Sequence, residues 1–577
     1  MARASRVVTT GLLVAGVFAG CSRETGTERG NGAGNAQSIR GGQLVASQRT
    51  EPANYNRYFE ATAAAELVTQ LTQAKLVRVN RSSDEVEPAL AESWSTTDGL
   101  TYSVKLRPKV RFSDGAPFSS ADVVFSFQAA QDSPESVLAS GLRVGGQPLT
   151  VVATDPGTVR ITFPHRFAPA IRMLDNLPIL PRHKLLAAFE AKTLKDAWTP
   201  AKPVSEVVGL GPFVLSEHVS GQRLVLNRNP HYWRRDRSGT ALPYLDKVTL
   251  LLVPDQSAEV LRLEAGATDL MANADTQPEN YGRLKQLSAE GKLHLIDGGV
   301  GLDANVFWFN LKAKPGDGKP WLRQKEFRQA LSYAVDRQAI ANSVYLGAAQ
   351  PVYGPVTPRN RTWFSGSAPT YPHDATKARQ LLASIGLRDR DGNGTLDDRA
   401  GRPVRFSVLI RQGGALRERT ASVLQEQLRA VGVGLDIVGL DMGAIVQRWQ
   451  KGDYDSVFHG FDASATDPAL NLDFWLSSGS LHFWNPLQPS PATEWERRID
   501  DLMQQQATTA ALEERQRLFA EVQRIFGEEV PALYFVVPVV TLAASPRVQN
   551  LVPAGQNPHF LWNADSIAVT ASARPTQ

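Results

Sequence analysis

Cysteine is nearly absent from this chain, because Cys21 is the single cysteine among 577 residues. One thiol excludes an intramolecular disulfide framework, a cysteine-rich zinc site and a CxxC redox pair. The length predicts several domains, and 42% hydrophobic with 21% charged residues is ordinary for a globular protein with large cores. The position of Cys21, directly after an apolar run, is therefore its most informative property.

Common catalytic and nucleic-acid-binding patterns are also missing. The sequence contains no G-x-S-x-G, no G-x-x-x-x-G-K-[ST] and no H-E-x-x-H, and its nine histidines are scattered. The 62 basic and 58 acidic residues are mixed along the chain, and no Lys/Arg block reaches five. A formal net charge of +4 therefore indicates no nucleic-acid patch. We predict no catalytic residue, no cofactor and no nucleic-acid partner.

Residues 1–20 are typical of an export signal. Arg3 and Arg6 precede an apolar run over residues 7–19, which is too short to span a bilayer comfortably. Residues 18–21, with the sequence FAGC, resemble a bacterial lipobox, in which the cysteine is acylated and becomes the new N-terminus. The alternative is a plain secretory signal with an incidental cysteine. Residues 21–40 are rich in Gly, Asn, Ser, Thr and charge, which predicts a flexible tether.

The predicted secondary structure changes along the body of the chain, from mostly strands to longer helices. Alternating residues at 102–106 and 110–112, with Asp114-Gly115 between apolar segments, predict a strand-rich region. From about residue 305, helical spacing recurs at 326–346, 374–386, 416–431 and 511–526, with glycines 386, 432 and 527 after the last three. We expect Ser119 and Asp374 to cap helices. The alternation of strands and helices favours α/β layering.

Several blocks, taken in order, carry a family resemblance. They are PALAESW (88–94), DGLTY (98–102), VRFSDGAPF (110–118), ADVVFS (121–126), GLGPF (209–213), LNRNPHYW (226–233), PYLDKV (243–248), FRQALSYAVDR (327–337) and residues 454–474 around Asp467-Pro468. Together they resemble the extracellular solute-binding proteins of family 5, which include dipeptide- and oligopeptide-binding proteins of ABC importers. The blocks reach across nearly the whole mature chain.

The resemblance implies an α/β, two-lobed periplasmic-binding-protein fold, class II-like and of cluster C, that closes on a ligand between its lobes. It implies two hinge crossings, which we place near residues 305–310 and 537–543. Lobe I would comprise residues 41–80, 204–304 and 541–577, and lobe II residues 305–540. The strand-rich stretch 81–203 would be the extra subdomain that larger members carry.

Ligand contacts are expected from the hinge and from the loop after residue 460. The candidate ligand-binding residues are Trp308, Asn310, Phe461, Asp462, Ser464, Asp467, Trp475 and Trp484. Aromatic platforms and a few polar groups hold large polar ligands, although core packing is the alternative for the aromatic residues. The family resemblance aligns Ser464 with the aspartate that anchors a peptide α-amine. A neutral serine cannot form that ion pair, which favours ligands without a free ammonium.

An acidic segment, DRDGNGTLDD at residues 389–398, resembles the start of a calcium loop. Asp389, Asp391, Asn393 and Asp397 would supply oxygen atoms, but Ala400 stands where a bidentate Glu is required. We favour an acidic glycine-rich turn before a strand at 404–409 and predict no metal, with a weak, partly hydrated ion as the alternative.

The sequence thus predicts a monomeric, lipid-anchored, periplasm-facing receptor that is not an enzyme. It would deliver a peptide or a similar polar solute to an ABC permease in the inner membrane. An oligosaccharide or other non-peptide solute is the alternative ligand. A ligand-sensing receptor or peptide chaperone is an alternative role, and a secreted hydrolase is a third class.

Overall fold

The computed structural model describes residues 40–271, 277–312, 318–460, 467–555 and 559–570. In chain order, the elements before residue 301 are β1 (Gln43–Gln48), α1 (Ala63–Thr72), β2 (Val77–Val79), β3 (Val86–Pro88), β4 (Ala91–Ser95), β5 (Thr101–Leu106), α2 (Ser120–Asp132), β6 (Arg143–Val144), β7 (Gln147–Pro148), β8 (Thr150–Asp155), β9 (Thr158–Thr162), α3 (Ala170–Met173), α4 (Arg182–Glu190), β10 (Phe213–Val219), β11 (Arg223–Arg228), β12 (Lys247–Leu252), α5 (Gln256–Glu264), β13 (Leu270–Met271), α6 (Pro278–Ala289) and β14 (His294–Val300).

The elements after residue 301 include most of the longer helices. They are β15 (Val306–Phe309), α7 (Lys325–Ala334), α8 (Arg337–Ser343), β16 (Ala349–Pro351), α9 (Ala375–Ser384), β17 (Arg405–Arg411), α10 (Ala415–Arg429), β18 (Gly434–Leu440), α11 (Met442–Lys451), β19 (Ser456–Phe458), α12 (Leu472–Trp475), α13 (Glu494–Thr508), α14 (Leu512–Glu529), β20 (Ala532–Tyr534), β21 (Val536–Ala544), β22 (Val548–Gln549) and β23 (Ala568–Val569).

The three larger sheets among the described residues have eight, five and four strands. The large sheet has the order β10-β11-β12-β1-β13-β21-β14, with β16 paired to β21. The five-stranded sheet has the order β18-β17-β19-β15-β20, and the four-stranded sheet the order β4-β5-β9-β8. The four-stranded sheet lies within the predicted strand-rich stretch. Parallel pairs, such as β1 with β12 and β17 with β18, require crossover connections, which explains the mixture of helices and strands.

The five-stranded sheet is covered on both faces, as its inner strand β15 shows. All four residues of β15 are buried, and successive side chains point to opposite faces of a strand. Phe307 and Phe309 therefore belong to one core, which includes residues of α7 and α10. Val306 and Trp308 belong to the other, which includes residues of α13 and α14. A strand that is apolar on both faces must be buried on both sides.

Helix starts follow the predicted chemistry. Ser119 and Asp122 form a capping box at α2, and the Asp374 side chain accepts a hydrogen bond from the Lys377 N–H at α9. Both predicted caps are confirmed. These side chains satisfy backbone donors that the first helical turn leaves without partners.

Two predicted helices differ in the structure. Residues 326–346 form two helices, because Val335 is extended and the Asp336 side chain caps α8. Gly527 does not end α14, which continues to Glu529. A Cβ at Gly527 would come within 2.8 Å of Pro369 Cδ, so this glycine permits close packing in the helix interior.

Candidate solute-binding cleft

Two chain segments pass between the large sheet and the five-stranded sheet without an intervening helix. The chain passes from β14 to β15 through residues 301–305 and returns from β20 to β21 at Phe535. Hydrogen bonds join the two connections: Gly301 N–H donates to Pro538 O at 2.8 Å and Asn305 N–H to Val536 O at 2.8 Å. The two crossing segments therefore lie side by side, and the predicted second crossing at 537–543 falls within β21.

A cavity of about 840 Å³ opens beside this double crossing. Its wall combines the start of α1, residues 137–141, residues 172–178 and the crossing segments at 301–303 and 538–540. Small-molecule sites have volumes of roughly 300–1,000 Å³, and this cavity lies in the upper part of that range. Segments far apart in the sequence thus form one cleft.

Charged side chains of both signs line the cleft. Arg57 Nε lies 2.6 Å from Glu66 Oε2, and Lys75 Nζ lies 3.7 Å from Asp175 Oδ2. Burial raises the pKa of Glu66, but Lys75 and Arg57 outweigh burial and hold it below its ordinary value. Glu66 therefore stays ionised at neutral pH, and the two pairs give the cleft a polar wall.

Asp303 differs from the other acidic residues of the cleft. The structure gives its carboxylate no hydrogen bond and no ion pair with any described residue. The residue is exposed, although neighbouring protein atoms partly desolvate its carboxyl group. This desolvation raises the pKa of Asp303 to about 6, against the opposing charge of Arg417. A Cβ at Gly460 would come within 2.8 Å of Asp303 Oδ1, so the carboxylate lies against the Gly460 backbone.

Trp308 lies in the core and not at the cleft surface. It has no solvent exposure, its Nε1–H donates to His459 O at 2.7 Å, and it stacks on Phe483 with ring centroids 5.2 Å apart. In this conformation Trp308 presents no surface to a ligand, and its predicted ligand contact stays a prediction. Core packing was the stated alternative for Trp308. The alternation of side chains along β15 directs the Trp308 side chain to the face of the sheet that α13 and α14 cover.

Trp475 and Trp484 occupy the same core. Neither has solvent exposure, and they pack edge-on against Phe519 and Phe526 respectively, at centroid distances of 5.2 and 5.4 Å. Neither residue lines the cleft, and their predicted ligand contacts stay predictions. Among its described lining residues the cleft has no Phe, Tyr or Trp.

The polar candidates have structural partners where the structure describes them. Asn310 Nδ2–H donates to Gly452 O at 2.9 Å and Tyr454 O at 2.8 Å, which ties β15 to the segment before β19. Asp467 forms a buried ion pair with Arg515. Neither residue lines the cleft. Phe461, Asp462 and Ser464 lie outside the described residues, so their predicted contacts stay predictions.

The acidic segment forms a self-satisfied turn. Asp389, Asp391 and Asp397 each place one carboxylate oxygen within 4.8 Å of the others. However, Asp389 accepts hydrogen bonds from the Gly392 and Gly394 N–H groups at 2.8 and 2.9 Å. Asn393 Nδ2–H donates a hydrogen bond to Asp391 Oδ2 at 2.8 Å. The Asn393 amide therefore presents its nitrogen, and not its oxygen, to that carboxylate. The segment forms an acidic, glycine-rich turn before β17, and the prediction that it binds no metal stays a prediction.

Sequence reasoning missed Asp303, the least partnered acidic residue in the cleft wall as described. The sequence feature that could have revealed it is a single acidic residue in the segment GGVGLDANV, which joins two strands.

Within the described ranges no helix has the length and apolar character needed to cross a bilayer.

Comparison with known proteins supports the two-lobed α/β fold. Oligopeptide-binding protein AppA of Bacillus subtilis is 27% identical over 463 residues, covering 78% of this chain and 80% of AppA. The AppA structure in complex with a nonapeptide matches with a TM-score of 0.69 at 24% identity, covering 92% of this chain and 99% of that one. The dipeptide-binding protein of Escherichia coli is 26% identical, over 91% of this chain and 95% of its own length.

Relatives differ in the solute that their names specify. The periplasmic alpha-galactoside-binding protein of Rhizobium meliloti is 26% identical, over 86% of this chain and 75% of its own length. The sequence model described as bacterial extracellular solute-binding proteins, family 5 Middle, matches residues 85–482. This chain therefore belongs to the bacterial extracellular solute-binding proteins of family 5.

Proposed function

We propose that this chain is the substrate-binding component of an ABC importer and captures a peptide or a similar polar solute. The observation that carries this proposal is the cleft of about 840 Å³ at the double crossing, with charges of both signs in its wall. Two sheets joined by a pair of neighbouring segments can rotate about those segments, as hinged domains do. Membership of a solute-binding family supports this function, and no chemical step is needed for it.

We assign residues 41–80, 204–304 and 541–577 to lobe I, 81–203 to its extra subdomain and 305–540 to lobe II. Contacts across the proposed lobes would stabilise the closed form. Ala168 N–H donates to Ala507 O at 2.8 Å, and Thr362 Oγ1–H donates to Asp84 Oδ2 at 3.5 Å. A solute shifts the population towards closure only if it binds the closed form more tightly, and the closed receptor would then dock on the permease.

A peptide suits the cleft better than an oligosaccharide. Sugar rings commonly stack on aromatic side chains, and the described part of the cleft wall offers no Phe, Tyr or Trp. A peptide instead presents charged termini and backbone hydrogen-bonding groups, which fit a wall containing Arg57, Glu66, Lys75 and Asp175. AppA and the E. coli relative are peptide-binding proteins by name, which supports the same choice.

Native mass spectrometry of the purified protein tests the proposal. We expect one copurifying solute per chain, with a mass and fragmentation pattern of a short peptide. If the protein is recovered empty, the addition of a randomised tripeptide library should produce a one-to-one complex. Recovery of a neutral oligosaccharide, or no complex with the library, would contradict the peptide proposal.

We also propose that the receptor acts as a monomer anchored to a bacterial membrane through acylated Cys21. The lipobox-like FAGC segment and the single cysteine support this assignment. The Cys21→Ser variant should incorporate no radiolabelled palmitate in the bacterial host, because hydroxyl replaces the acylated thiol. Labelling of the variant at the wild-type level would overturn the lipobox interpretation.

A further inference from the structure

We propose that Asp303 is the specificity residue of the cleft and binds the ammonium group of a cationic solute. The inference rests on the proposed solute-binding function and narrows its ligand class. Three features of the described structure support it: the rigid position of Asp303, its missing ionic partner and its accessibility from the cavity.

The backbone fixes Asp303 at the cleft wall. Its neighbours Leu302 and Ala304 are buried, and the N–H groups of Gly301 and Asn305 both donate across the double crossing at 2.8 Å. The Asp303 side chain itself is exposed and lines the cavity. Because the backbone on both sides of Asp303 is hydrogen-bonded, only its side-chain torsions remain to be fixed when it binds a ligand.

Charge pairing leaves Asp303 available. Among the described acidic residues of the wall, Glu66 pairs with Arg57 and Asp175 pairs with Lys75, whereas Asp303 has no ion pair. Arg417 is near enough to lower the pKa of Asp303, but it donates no hydrogen bond to it and lies over the Phe458 ring at 5.5 Å. A partly desolvated carboxylate is costly without a partner, and an ammonium group would supply one.

Several titratable groups surround Asp303. Arg417 of α10 faces it, and the pKa of the Tyr534 hydroxyl is raised by burial and by the Asp303 charge. His459 stands close to Arg417, and burial followed by that charge lowers its pKa. Since desolvation raises the pKa of Asp303 to about 6, its negative charge is lost as pH falls through 6. The affinity for an ammonium-bearing solute should then fall about tenfold per pH unit.

The test compares wild type with Asp303→Asn by titration calorimetry at pH 7.5. The probes are two matched pairs: a randomised tripeptide library with free amino termini and its N-acetylated form, and a glucosamine trimer and its N-acetylated form. Asp303→Asn should reduce affinity for free-amine tripeptides at least tenfold and leave the N-acetylated library unchanged. It should also remove the fall in affinity below pH 6, which separates Asp303 from His459. Thermal unfolding verifies that the variant is folded.

The outcomes separate this inference from the proposed function. Tripeptide binding with the same amine preference in both proteins would overturn the Asp303 assignment and leave peptide capture standing. Binding of the glucosamine trimer alone, lost in Asp303→Asn, would support Asp303 and contradict peptide capture. Wild-type affinity that is equal for amine and N-acetylated probes would overturn the assignment of a cationic ligand.

Discussion

Asp303 and Trp308 are five residues apart in the same crossing region, and their surroundings give them opposite roles. Trp308 has no solvent exposure and packs between aromatic rings, whereas the Asp303 side chain reaches the cleft. A residue type alone does not separate these roles, because a tryptophan is equally suited to a core and to a ligand platform. The local surroundings decide, and those depend on distant chain segments.

Replacement of Trp308 should test its packing role. Trp308→Ala should lower the free energy of unfolding by about 3–5 kcal/mol, because it leaves a cavity among Phe474, Phe483 and Tyr534. Urea denaturation measures this change. Phe364→Ala is the matched control, since Phe364 is 42% exposed and should contribute less than about 1 kcal/mol. Equal effects of the two variants would contradict the buried position of Trp308.

At the same scale, Ser464 shows where sequence reasoning was limited. The family alignment places a neutral residue at the amine-binding position, which favoured ligands without a free ammonium. Asp303 provides a carboxylate from another part of the chain, and the proposal above therefore restores amine-bearing ligands. The cleft wall unites residue 303 with residues 538–540, and neither periodicity nor motif spacing relates positions so far apart.

At the scale of elements, local chemistry predicted helix starts better than helix ends. The caps at Ser119 and Asp374 follow from hydrogen bonds within one turn, so the sequence suffices. Gly527 resembled a helix end, but its role depends on Pro369 of a different segment. Asp336 could have revealed the break before α8, because an aspartate followed by a helical pattern is a common cap.

Gly211 gives a sharp test of close packing between elements. Its N–H donates to Thr72 O at 2.9 Å, and a Cβ at this position would come within 2.4 Å of the Thr72 carbonyl carbon. Gly211→Ala should therefore lower the free energy of unfolding by more than about 2 kcal/mol, because backbone must move. Urea denaturation provides the measurement.

Gly282 is the matched control for Gly211. It lies in α6, and a Cβ there would meet no atom within 4 Å. Gly282→Ala should raise the free energy of unfolding by about 0.5–1 kcal/mol, because alanine favours the helix. A stabilising effect of Gly211→Ala would contradict the close approach to Thr72.

At the scale of the whole molecule, the chain builds one cleft from segments that are far apart in the sequence. The order of the sequence blocks indicated the two-lobed fold, because such blocks mark a shared architecture even when identity is low. The cleft wall could not be predicted in the same way. Its side chains come from loops and crossing segments whose positions follow from the packing of both sheets.

The central claim is that the solute binds in this cleft, and a cleft-filling substitution tests it most directly. Gly141 lines the cavity and Gly282 does not, and a Cβ on either meets no atom within 4 Å. Wild type, Gly141→Trp and Gly282→Trp would be titrated calorimetrically with the free-amine tripeptide library. Wild type and Gly282→Trp should bind with the same affinity and Gly141→Trp at least tenfold more weakly, because the indole occupies the cleft. Equal affinity in all three proteins would contradict the account, because the solute would then bind elsewhere.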